Sequence, residues 1–184
     1  MLSVYTAGTQ EQAVTKAKSL ADKLTKRHGL YVTRVKVEAM VRACKGIPQT
    51  DEEMKAFRLI HPHAYFEIHV KVLQAPVPKS PKPDKDWSAL DTLVTSAVER
   101  HRGSARIAWS VNLCSSSKRP LLTIRVDRHG WIETERIKHR VLELMSDLGF
   151  KVDGKTQDEL SVYDSFIGLD AGWIEECAFV RSKL

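Results

Sequence analysis

From Tyr65 to Val72 polar and apolar residues alternate at every position. An extended chain there turns Phe66, Ile68, Val70 and Val72 to one side and Tyr65, Glu67, His69 and Lys71 to the other. The same period of two recurs in Tyr31 to Glu38, Ala105 to Leu113, Pro120 to Asp127 and Glu159 to Tyr163, and each stretch predicts a strand with one buried side. Between them the spacing becomes helical. Ala13, Val14, Ala17, Leu20, Ala21 and Leu24 form one stripe within Gln12 to His28, closed by Gly29. Leu90, Leu93, Val94, Ala97 and Val98 form a second within Trp87 to His101, and Ile137, Val141, Leu142, Met145 and Leu148 a third within Ile132 to Leu148, followed by Gly149. Thr50-Asp51-Glu52-Glu53 is a capping box that predicts a short helix through Phe57, and the apolar start at Leu2 to Tyr5 reads as a further strand.

The predicted order is strand, helix, strand, three times over. Because each strand has a single apolar side, the pattern excludes a doubly wound sheet, whose strands are buried on both faces. It predicts an α+β fold: a mostly antiparallel sheet with helices on one face, in ferredoxin-like (split βαβ) units. Leu24 to Glu38 and Leu144 to Glu159 echo each other, each running from a helix end through Gly-apolar-x-Val into a strand ending in glutamate, which raises a duplicated unit. One globular domain over residues 1–184 is expected, with an inserted lobe at about 39–63 and a Pro/Lys-rich crossover at about 74–86, where prolines exclude helix and sheet.

Composition narrows the function classes. The net charge of +6 fits an anionic partner, but the cations are interspersed with acids and do not form a nucleic-acid-binding block. Three widely spaced cysteines, Cys44, Cys114 and Cys177, match neither a disulfide framework nor a paired-cysteine zinc site. With no leader pattern and no long apolar run, a soluble cytoplasmic protein without membrane contact is expected.

Candidate chemistry collects on the polar side of the strands, where neighbours about 4.8 Å apart bring several side chains within one ligand's length. His69, between Glu67 and Lys71 on its strand, is the candidate proton-transfer residue, with Glu67 and Glu159 as carboxylate partners. Arg34, Lys36, Lys71 and Arg125 are candidate anion holders, and Ser110, Asn112, Tyr163, Asp164 and Asp170 candidate ligand contacts. His61-Pro62-His63 lacks an acidic partner at metal-site spacing, so no metal is assigned; no cofactor is identified. Ser115-Ser116-Ser117-Lys118-Arg119 resembles an anion nest but has no glycine, which excludes a Walker-type loop.

The leading expectation is a binder or enzyme for a small phosphate- or carboxylate-bearing molecule, using this face as an open site. An RNA-binding module is the alternative, weakened by the small number of outward aromatics, chiefly Tyr65 and Tyr163. A non-catalytic interaction surface, including a homodimer, is the third. A working open site implies that His69→Ala and Arg125→Ala leave stability nearly unchanged.

Overall fold

At the start of helix α1 (Gln10–His28), the Thr9 hydroxyl accepts from the Gln12 amide while the Gln12 side chain accepts from the Thr9 amide. Gly29 closes the helix at φ 63°, a conformation that side chains resist. The computed structural model describes residues 2–74, 88–111 and 119–170. Residues 2–8 pair with no strand, and Leu2, Val4 and Tyr5 are exposed, so the strand expected there is not formed. Strand β1 (Lys36–Met40) begins later than the alternation from Tyr31 suggested, which leaves Arg34 on an unpaired approach segment. The Thr50 capping box opens α2 (Asp51–Ile60) as expected, and the helix runs on past Phe57.

The remaining elements are β2 (Tyr65–Gln74), α3 (Ser88–Arg100), β3 (Arg106–Val111), β4 (Pro120–Val126), α4 (Trp131–Asp147), β5 (Lys151–Val152), β6 (Gln157–Asp164) and a 3-10 turn at Ile167–Asp170; they follow the predicted order except for the short β5 and the 3-10 turn, which the pattern did not predict. The fold is α+β, with a six-stranded antiparallel sheet and four helices. Its strand order is β1-β6-β2-β4-β3, with β5 paired to the far end of β2. The Pro/Lys-rich crossover beyond Gln74, Asn112, and Ser115 to Lys118 of the serine-rich turn lie outside the described residues.

The apolar sides of the strands meet the helices as the alternation required. Phe66, Ile68, Val70, Ile107, Leu122, Ile124 and Leu160 are fully buried in one cluster with Leu90, Leu93 and Ala97 of α3 and with Ile137, Val141 and Met145 of α4. Met54 brings α2 into the same cluster. Helix α1 packs along the edge strand β1 without a fully buried side chain. Among the described residues no helix is long and apolar enough to cross a membrane. One ion pair enters the apolar side: Lys138 of α4 donates to Asp158 of β6 at 3.0 Å, both side chains buried, with the ammonium 5.0 Å from the Trp131 ring centroid.

The segment before α2 and the start of α4 are locked together. The amides of Trp131 and Ile132, left without partners inside their own helix, donate to the carbonyls of Pro48 and Gln49 at 2.9 and 3.1 Å. Asp51 accepts from the Gly130 amide at 2.9 Å and contacts His129 Nδ1 at 2.9 Å, and this hydrogen bonding, His129 first, lowers its pKa. The approach is close enough that a Cβ on Gly130 would lie 2.4 Å from the backbone of Gln49 and Thr50. Gly130→Ala is therefore expected to cost about 1–3 kcal/mol in urea unfolding. Gly154→Ala, where a Cβ meets nothing within 4 Å, is the matched control and should stay near wild type.

Candidate functional site

Glu67 sits in the middle strand with Arg125 of β4 opposite it on one side and Glu159 of β6 on the other. With α3 and α4 on the apolar side, the second face of the sheet carries Tyr65, Glu67 and His69, then Thr123 and Arg125, then Glu159 and Ser161. The alternation predicted this shared face but also predicted that it lies open, and most of it does not. Tyr65, Glu67, Thr123, Arg125, Glu159, Ser161, Asp164 and Asp170 are all buried. Arg34 from the approach to β1 and Asp170 from the turn after β6 bond to the side chains of this face.

Those groups form one ion network. Arg34 engages Asp164 through Nε and Nη2 and Asp170 through Nη1 and Nη2, the latter both at 2.9 Å. Arg125 donates to Glu67 through Nε at 3.0 Å and Nη2 at 2.7 Å, and to Asp170 at 2.7 Å, with its guanidinium 4.2 Å from the Tyr65 ring centroid. Lys36 reaches Glu67 at 2.8 Å and Glu38 at 2.5 Å, and the Tyr65 hydroxyl donates to Asp164 at 3.2 Å. Burial pushes the Glu67 carboxyl up, but the His69 hydrogen bond and the charges of Lys36 and Arg125 outweigh it and hold Glu67 well below the usual carboxylate range. Asp164 is likewise lowered, its burial overcome by Arg34. Arg34 is raised, chiefly by its hydrogen bond to Asp164, while Lys36 is raised by Glu67 and Glu38 against the opposing effect of burial.

His69 occupies the less enclosed end of this face, its side chain 18% exposed. Its Nδ1 is 3.1 Å from the Thr123 hydroxyl; its Nε2 is 3.2 Å from Glu67 Oε1 and 3.9 Å from Glu159 Oε2. Gln157 donates to Glu159 Oε1 at 2.7 Å and fixes that carboxyl. Burial first, and then the charge of Glu38, raise the Glu159 pKa against the opposing Gln157 hydrogen bond. Two carboxyl groups touching one imidazole are thus pushed in opposite directions, Glu67 toward the ionised form and Glu159 toward the protonated one.

The other expected site residues divide. Arg34, Lys36, Asp164 and Asp170 join the network, although Asp164 and Asp170 are bound to arginines within the protein. Ser110 and exposed Lys71 flank Leu121 at the far end of the sheet, away from the ion pairs. Tyr163 departs from the face because the register slips between Val37 and Glu38, leaving Val162 without an opposite residue. Past that irregularity Asp164 reaches the face, while Tyr163 lies under Lys18 of α1, 4.7 Å from its ring centroid. Gln157 and Thr123, which hold Glu159 and His69, carried no signal beyond their place in the alternation. Among the described residues no group of three or more His, Cys, Asp or Glu side chains is arranged to hold a metal ion. No protein-family model, curated protein or solved structure matches the chain.

Burial changes what Arg125 substitution should do. Arg125→Met leaves Glu67 and Asp170 without a shared cation and is expected to cost about 3–5 kcal/mol in chemical denaturation, not the near-neutral effect that an open site implies. The acid limb has a defined sign. Glu67 and Asp164, both lowered, contribute stability that is present above the ordinary carboxyl values of 4.5 and 3.8 and is lost as pH falls through their folded values. Glu159, raised, acts in the opposite direction, favouring the fold at low pH and losing that contribution as pH rises through its folded value. The urea midpoint should therefore drop as pH falls below 4.5, and less steeply in Glu67→Gln. A midpoint with the same pH slope in both proteins would contradict the assignment.

Proposed function

We propose that this protein is an enzyme that moves a proton on a small polar molecule bound at His69. The observation that supports it is the pair of carboxyl groups against one imidazole, Glu67 held ionised and Glu159 pushed toward its protonated form. Environments that drive neighbouring titratable groups apart assign acid and base roles. Glu67, beside Nε2, orients the ring and stabilises the imidazolium, and the proton is exchanged at Nδ1, where the ligand takes the place of the Thr123 hydroxyl as hydrogen-bond partner. Glu159 is the neighbouring store from which that proton is replaced.

The ligand reading narrows. Arg34 and Arg125, expected to hold a phosphate or carboxylate on this face, are matched by Asp164, Asp170 and Glu67. An anionic group beside His69 would instead meet Lys71, exposed two residues further along the same strand. RNA binding by base stacking loses support, since Tyr65 is buried under Arg125 and Tyr163 is covered by Lys18. The segment β2-α3-β3-β4-α4-β6, with spatial order β6-β2-β4-β3, supports a split βαβ unit extended at one edge by β1.

A thermal-shift and turnover screen over sugar phosphates, nucleotides and small carboxylic acids tests the proposal. At least one compound should bind, with binding or turnover lost in His69→Asn, which is partly exposed and should unfold within about 1 kcal/mol of wild type, and in buried Glu159→Gln, whose fold is checked by circular dichroism. A hit that survives both substitutions, or no hit in the panel, overturns it.

A further inference from the structure

Helix α1 packs along the edge of the sheet yet carries its cations unmatched. In the sequence they are interleaved with Glu11 and Asp22, but the helix separates the two signs. At about 100° per residue Lys16, Lys23 and Arg27 fall within about 40° of one another, on a line about 16 Å long, with Lys26 beside it. Glu11 and Asp22 project at least about 100° away from that line. All four cations are exposed. Among the described residues none of them is ion-paired, and Lys16 donates to the Thr6 hydroxyl at 3.0 Å, which leaves its charge uncompensated. The carbonyl end of the helix accounts for Lys26, Arg27 and His28 in the last turn, but its field does not extend to Lys16 and Lys23. An aromatic ring stands at each end of the strip. Tyr31, shortly past Arg27, is 88% exposed, and Tyr5, next to the Thr6 that Lys16 holds, is 85% exposed.

We propose that this strip binds a single-stranded nucleic acid, its phosphates along Lys16, Lys23, Lys26 and Arg27 and its bases stacked on Tyr31 and Tyr5. A single strand offers both chemistries at once: a row of phosphates that matches unpaired cations, and open base faces that stack on aromatic rings whatever the sequence. The tyrosines of the sheet face are closed to bases, and these two are not. An anionic lipid surface would meet the same cations, but an interfacial helix binds through its apolar face. In α1 that face, Ala13, Val14, Ala17, Leu20, Ala21 and Leu24, is partly buried with the helix lying along β1, so it is not free to enter a lipid layer. The strip shares no residue with the His69 site or its ion network, and it stands or falls without the proton-transfer reading.

The test titrates the full chain against a labelled oligouridylate by fluorescence anisotropy over a range of salt concentrations. Log affinity should fall against log salt with a slope of about −2 to −3, at about 0.7 for each phosphate that the four cations neutralise. Lys23→Gln with Arg27→Gln should weaken binding at least about tenfold at low salt and make the slope shallower by about one. Tyr31→Ala should weaken it about fivefold or more at an unchanged slope, the signature of a lost stack. Lys151→Gln with Lys155→Gln removes the same charge elsewhere and should bind as wild type. All these positions are exposed, and circular dichroism checks that the fold is kept. No binding at low salt, affinity unmoved by the α1 pair, or an equal loss in the control pair overturns the site. Sedimentation with phosphatidylserine vesicles in the absence of oligouridylate binding assigns the strip to a lipid surface instead, and Tyr31→Ala binding as wild type overturns the stacking and with it the preference for single strands. None of these outcomes depends on His69, so a failure here is distinguishable from a failure of the proton-transfer proposal.

Discussion

A carboxylate set in the middle strand of a sheet stays ionised only if cations are brought to it, and Glu67 is that carboxylate. Its side chain is 7% exposed, and it draws Lys36 from β1, Arg125 from β4 and His69 from its own strand. Through Arg125 the network extends to Asp170, and through Arg34 to Asp164, so one buried charge ties the sheet to the chain that precedes β1 and to the turn that follows β6. Burying so many charges is not an efficient source of stability, since well-packed apolar groups of the same volume often do as well. What the network provides is position. A slip of one residue in any strand would turn Glu67, Arg125 or Glu159 into the apolar layer and strand its partners, so the ion pairs reinforce the register that the apolar alternation sets.

The alternation made much of this legible. It located the strands around β2, β3, β4 and β6 and their apolar partners on α3 and α4, and it put Glu67, His69, Arg125 and Glu159 on one face. The closure of that face was not legible, because alternation assigns a side chain to a face without saying what it bonds: Arg34, read as an open anion holder, is bonded to Asp164 and Asp170, and Asp170 lies in a turn with no periodic pattern. Nor was the departure of Tyr163, since a register irregularity at Val37/Glu38 reverses the parity that every alternation argument assumes. The strand expected from Tyr31 begins only at Lys36, and Arg34, ahead of it, forks between Asp164 and Asp170.

One signal was readable and carries a general lesson. Asp158 occupies an inward position between Gln157 and Glu159, opposite the core residue Ile68, where a lone carboxylate would be costly. Lys138 lies next to Ile137 on the apolar stripe of α4. Each is an anomaly in its own element, and together they account for each other as a buried pair at 3.0 Å. A charged residue that breaks a buried pattern is best read as half of a pair, with its partner sought among similar breaks elsewhere in the chain.

Arg125 joins the middle of the sheet to the turn after β6. Its guanidinium holds Glu67, which contacts His69, and also reaches Asp170. Loss of the Arg125 charge would leave Glu67 and Asp170 without their shared cation and weaken the restraint keeping Glu67 ionised. In a buried setting such charge interactions are poorly screened and persist over several ångströms. The same guanidinium that ties β4 to the middle strand therefore also sets the charge environment of the carboxylate beside His69.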